Sequence, residues 1–173
     1  MVMRLLMPAL ILTVAACMPI SPGPQQQRPR LIAPTLLDAH NRERAAAGSP
    51  AMAWDSALAA SAIAYADQLA SEGRLRHSPR HLRPGVGENL WIGTRDAFAV
   101  ETMVGSWTSE RRLFRRGTFP HNSRTGRWSD VGHYTAIIWP STRRVGCAIG
   151  QSARWDVLVC RYSPGGNVDG VAL

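Results

Sequence analysis

Histidine and carboxylate side chains carry most of the chemical potential of this chain, and they are few enough to follow one by one. His133 heads Gly132-His133-Tyr134-Thr135-Ala136-Ile137-Ile138-Trp139, a run too apolar for a surface loop, so an imidazole stands at the mouth of a buried segment. Taken alone it reads as a satisfied core histidine. His77, His81 and Glu88 share a stretch of short segments that includes Gly87-Glu88-Asn89-Leu90-Trp91. Glu110 lies three residues beyond Trp107 and four before Phe114, at the edge of an apolar helical stripe, where a carboxylate must face solvent or find a buried partner. His40, Asn41 and Arg44 fall with Leu37 on one face of a helix that should pack inward, and Asn41 and Arg44 are expected to bond neighbouring backbone. No His-Glu-x-x-His helix sets two imidazoles on one face for zinc, and no Gly-x-Ser-x-Gly elbow presents a serine nucleophile.

The chain has three cysteines, and each has an assignment. Arg4 is followed by an apolar run from Leu5 to Ala15, shorter than the roughly 20 residues of a spanning helix, so residues 1–16 read as a signal peptide. Val14-Ala15-Ala16-Cys17 resembles the lipobox of bacterial lipoprotein signal peptides, which implies a lipid on Cys17 and anchorage to a membrane. Cys147 and Cys160 then remain as an even pair in an exported chain, the condition for a disulfide, and no thiol is left to act as a nucleophile.

At 173 residues the chain suits one domain with a full core. Its net charge is +8, and all twenty basic residues are arginine. No basic run is interleaved with aromatics, so a nucleic-acid partner is not expected, while acidic lipids or polysaccharides of an envelope suit the charge.

The elements that must position these groups follow from periodicity and punctuation. Residues 17–34 are Pro-rich and polar, a tether between lipid and domain. Thr35-Leu36-Leu37-Asp38 fits a capping box, and Gly48 with Pro50 a stop, predicting a helix over 36–47. A second helix is predicted over 55–71, with Trp54, Leu58, Ala62, Tyr65 and Leu69 on one stripe and alanines that permit close approach of another element. Residues 74–93 read as strands and turns. A third helix is predicted over 97–112, its Val100, Met103, Val104 and Trp107 facing inward. Arg111, Arg112, Arg115 and Arg116 are read as cations at its C-terminal dipole. Residues 117–130, with Phe119, His121 and Trp128 as anchors, form a loop available as a lid. Strands over 145–149 and 155–162, paired about Gly150-Gln151-Ser152-Ala153-Arg154, set Cys147 opposite or nearly opposite Cys160, where a bridge contributes about 3 kcal/mol on the loop-entropy argument.

Together these pieces resemble the CAP superfamily, the module of cysteine-rich secretory proteins, antigen 5 and plant pathogenesis-related 1 proteins. The resemblance spans roughly residues 35–168, within a domain taken as 35–173. It rests on His40-Asn41-Arg42-Glu43-Arg44, Gly87-Glu88-Asn89-Leu90, Trp107 with Glu110, the octapeptide at 132–139, and Cys160-Arg161-Tyr162-Ser163-Pro164-Gly165-Gly166-Asn167. It implies an α+β fold, a three-layer α-β-α sandwich about a central antiparallel sheet, with a cavity lined by His77, Glu88, Glu110 and His133. It also implies that the run after His133 is a brief helix. The cysteine-rich C-terminal extension of vertebrate secretory members is missing, so a channel-blocking role tied to it is not implied. Nothing in the motifs assigns His81 or His121.

Two readings of function follow. In the first, the tetrad is a hydrogen-bonded cluster with no catalytic residue, and the exported, envelope-anchored module binds a lipid-like molecule in a groove between helices, or an envelope or extracellular protein. In the second, His77 and His133 hold Zn²⁺ with an open position for water and a carboxylate as general base, giving a hydrolase of peptides or cell-wall polymers. The non-enzymatic reading is preferred.

Overall fold

The computed structural model describes residues 24–173, with side chains from Ile32 onward; the leader, Cys17 and its expected lipid lie outside the described residues. Helix α1 runs Pro24–Ala47, so it begins well before the capping box, which lies inside it. The stretch expected as a tether is therefore helical from Pro24 on.

Strand β1 (Ala53–Trp54) was too short to be visible in the sequence. Helix α2 spans Ser56–Glu72, capped by the Asp55 carboxylate, which accepts from Ala57 and Leu58 N–H, both at 2.9 Å, and closed by Gly73 at φ 65°. Strand β2 is Gly87–Thr94. Helix α3 covers Val100–Thr108 and continues as a 3-10 turn over Ser109–Leu113. Helix α4 is Gly132–Ile138, the brief helix the resemblance implied, and β3 (Arg144–Gln151) and β4 (Trp155–Ser163) close the chain.

The sheet order is β1-β3-β4-β2, antiparallel except for the two-residue parallel pairing of β1 with β3. Alternation along β4 divides the core. Leu158, Cys160 and Tyr162 face α1, α3 and α4, while Val157 and Val159 face α2. The three layers are thus helices, sheet and helix, as expected. Close approach of α2 depends on glycine as much as on alanine: a Cβ at Gly146 would stand 2.3 Å from Ala59 N, and one at Gly150 2.2 Å from the carbonyl carbon of Ala66. Cys147 pairs directly with Cys160, and the disulfide joins them with the Cα atoms 4.1 Å apart.

Candidate functional site

The four tetrad residues arrive from four different segments and assemble as two His–Glu pairs. His77 comes from the chain after α2, and Glu88 is the second residue of β2. His77 Nδ1 lies 3.0 Å from Glu88 Oε1, Ser78 N–H donates to the same oxygen at 2.9 Å, and the Ser78 hydroxyl donates to Oε2 at 2.7 Å. Arg83 and Arg161 stand at 3.8 and 3.6 Å from the carboxylate. Burial alone would push the Glu88 carboxyl up, but the bonds from His77 and Ser78 and the charge of Arg83 more than offset it and hold the group below its ordinary value.

Glu110 sits in the 3-10 turn, where the helix has tightened and its carboxylate leaves the apolar stripe. It accepts from the main-chain N–H groups of His133 and Tyr134, each at 3.0 Å, and its other oxygen lies 2.6 Å from His133 Nδ1. Helix α4 has only seven residues, and Val131 before it supplies no side-chain cap. Glu110 therefore caps α4 from another element, meeting free amides with negative charge. Trp107 holds the ring behind: its indole stacks on His133 at 6.0 Å and 14°, while its own N–H donates to Leu90 O at 3.1 Å. Asn89 Nδ2–H donates to His133 O at 3.1 Å, so β2 and α4 are locked together at the site.

His77, Glu88 and His133 line one cleft of about 470 Å³, with Arg80, Phe119 and Trp128 on its walls; Glu110 acts on it through His133. The 117–130 loop is one of those walls rather than a loose cover, since Phe119, Asn122 and Ser123 are buried in it. Each imidazole spends Nδ1 on its carboxylate and leaves Nε2 without a hydrogen bond among the described residues, and outer carboxylates orient metal-binding histidines in this way. The donor chemistry suits Zn²⁺ on His77 and His133, yet the four do not close into a compact set. Among the described residues the one group of three donor atoms within 4.8 Å is His40, Cys147 and Cys160, whose sulfurs are already bonded to each other. A zinc ion in the cleft would take two imidazoles and complete its sphere with water or ligand. His81 and His121 are exposed, and neither lines the cleft.

The sequence assigned no role to Ser78, Thr135 or Asn167, although Thr135 and Asn167 lie within the motifs. Thr135 Oγ1 meets Asn167 Oδ1 at 2.8 Å, and Asn167 Nδ2–H donates to Gly132 O at 2.9 Å, fixing the start of α4. The available signal was Gly165-Gly166-Asn167 after β4: Asn167 sits at φ 57°, where Asn is tolerated, and a Cβ on Gly166 would strike Trp139 at 2.5 Å.

Elsewhere on the same histidine and arginine chemistry, the α1 stripe is closed. His40 Nδ1 lies 2.7 Å from Leu36 O and Nε2 3.0 Å from the Tyr162 hydroxyl. Arg44 donates to the carbonyls of Pro50, Ile137, Trp139 and Thr142, and Asn41 exchanges two bonds with the Met52 backbone, as expected. A separate groove of about 650 Å³ opens beside β1 between α1 and α2, with Leu37, Trp54 and Ile63 as its large apolar walls and Asp38 and Ser56 as its polar ones.

Residues 37–162 match the cysteine-rich secretory protein family, CAP. Pathogenesis-related protein 1C of Nicotiana tabacum is 39% identical over 136 residues, covering 78% of this chain and 76% of the relative. Secreted protein RBT4 of Candida albicans is 35% identical over 138 residues, covering 78% of this chain and 35% of that longer protein. Among solved structures, that of NaASP2 with Zn²⁺ superposes with a TM-score of 0.68 at 22% identity, covering 81% of this chain and 83% of the other, a likeness of fold.

Proposed function

The chain belongs to the CAP family of cysteine-rich secretory proteins, and from that membership and its cavities we propose that it is an exported, envelope-anchored module that binds a lipid-like molecule. The observation that carries this reading is the apolar groove between α1 and α2, large enough for an acyl chain segment and walled by Leu37, Trp54 and Ile63. Binding there needs no catalysis, which agrees with a tetrad whose carboxylates are spent on imidazoles and backbone amides. The anchor at Cys17 keeps the groove near a membrane, and an envelope protein is the other partner this placement would serve.

The test is organic extraction of the purified full chain followed by mass spectrometry, alongside wild-type and Ile63→Glu titrations with a fluorescent fatty acid. Wild type is expected to carry or take up the apolar ligand and Ile63→Glu to bind it at least tenfold more weakly, the scale set by placing a charge in an apolar wall. An empty extract, no uptake by wild type, and no envelope protein recovered in pull-downs would together sink the reading.

A zinc-dependent hydrolase remains a second reading because of one specific observation: both cleft imidazoles have Nδ1 held by a carboxylate and Nε2 without a hydrogen bond among the described residues. Calorimetric titration with Zn²⁺ decides it. Heat in wild type that disappears in His77→Ala/His133→Ala is expected for a metal site, and no heat in wild type would end the claim.

A further inference from the structure

A third cavity, of about 380 Å³, lies between the C-terminal turn of α1, the segment around Phe114 and α4, and it shares no lining residue with the tetrad cleft or the apolar groove. Three arginines line it: Arg115, Arg116 and Arg124. Read from the sequence, Arg115 and Arg116 complemented a helix dipole, but both lie beyond the turn that ends at Leu113. Each of the three is instead tethered to a carbonyl by part of its guanidinium. Arg115 Nε–H donates to His121 O at 3.2 Å, Arg124 Nε–H to Phe114 O at 3.2 Å, and Arg116 NH2 to Ala47 O at 3.0 Å.

The rest of each fork is unspent. None of the three forms an ion pair among the described residues; no Asp or Glu side chain lines the cavity, although Leu173, the last residue of the sequence, does, bonded through its backbone to Gly117. The carboxylate of Glu43, close enough to act on Tyr134, is paired with Arg111 at 3.4 Å. Phe114 and Ile138 add apolar surface to the lining, and Tyr134 adds a phenol whose pKa burial raises and whose hydroxyl has no hydrogen-bond partner among the described residues. Planar forks pre-oriented by one bond each suit tetrahedral oxyanions, and the Phe114 and Ile138 side chains in the same lining favour a substituent on that anion.

We propose that this cavity binds a phosphate ester carrying an apolar group, with Arg115, Arg116 and Arg124 on the phosphate oxygens and the substituent against Phe114 and Ile138. The source of that chemistry is either a phospholipid headgroup or a free organic phosphate. The inference goes beyond the groove reading and does not rest on it.

The test is titration of the full chain by calorimetry at low salt with hexyl phosphate, inorganic phosphate and monomeric dihexanoylphosphatidic acid. Hexyl phosphate is expected to bind at least tenfold more tightly than inorganic phosphate. Arg115→Ala/Arg124→Ala should weaken it tenfold or more, whereas the charge-matched control Arg74→Ala/Arg95→Ala should change it less than threefold. Tighter binding of the phosphatidic acid than of hexyl phosphate assigns a lipid headgroup, and equal or weaker binding assigns a free ester; both support the site. No binding of hexyl phosphate to wild type, or an equal loss in the charge-matched control, overturns it. Because the groove reading is tested by Ile63→Glu, the two can fail separately.

Discussion

The stripe on α1 and the tetrad cleft use similar side chains to opposite ends. On α1, His40 and Arg44 are wholly buried, and both ring nitrogens of His40 are engaged. In the cleft, the His77 and His133 side chains are 56% and 35% exposed, and each spends one nitrogen on a carboxylate while the other has no hydrogen bond among the described residues. Saturation of hydrogen-bonding capacity separates a structural polar cluster from one able to take a ligand, because a buried donor left over would cost more than it returned.

The comparison is broken most severely by Arg44→Met. Four carbonyls from three segments would lose their donor, three of them at buried bonds, and urea unfolding is expected to register a loss of about 4 kcal/mol or failure to fold. Next comes acid. Burial, aided by the charge of Arg44 and opposed in part by the bond to Leu36 O, lowers the His40 pKa from 6.5 to about 4. The folded protein therefore binds fewer protons than the unfolded chain across that window. Stability present above pH 6.5 is lost as the pH falls towards 4, by about 3 kcal/mol in all, and His40→Gln should flatten that part of the curve.

A smaller effect is expected at the boundary between the two regions. Glu110→Gln removes the charge that caps α4 and should cost about 1–2 kcal/mol by thermal unfolding, while releasing the His133 ring from its fixed tautomer, visible in its imidazole NMR signals. His77→Ala should be the mildest, under about 1 kcal/mol, because Glu88 keeps Ser78, Arg83 and Arg161 around it. A loss as large as that of Arg44→Met at His77 would erase the distinction between the two regions.

Local pattern alone determined much of this protein. The capped and alanine-rich α2, the β3–β4 hairpin with its cysteine pair, and the polar stripe whose Asn41 and Arg44 bond backbone all follow from spacing of three to four residues or of two, which neighbouring side chains enforce by themselves. Motif resemblance added the layered fold and named the tetrad. What only the tertiary structure decided involves groups far apart in the chain. The early start of α1 and the two-residue β1 carry no pattern long enough to read. The pairing of His77 with Glu88 and of His133 with Glu110, the use of Glu110 as a cap for a helix more than twenty residues away, and the convergence of Arg115 with Arg124 on one cavity all depend on how packed elements aim their side chains. Sequence spacing fixes which face of an element a residue occupies, and packing alone fixes what that face meets.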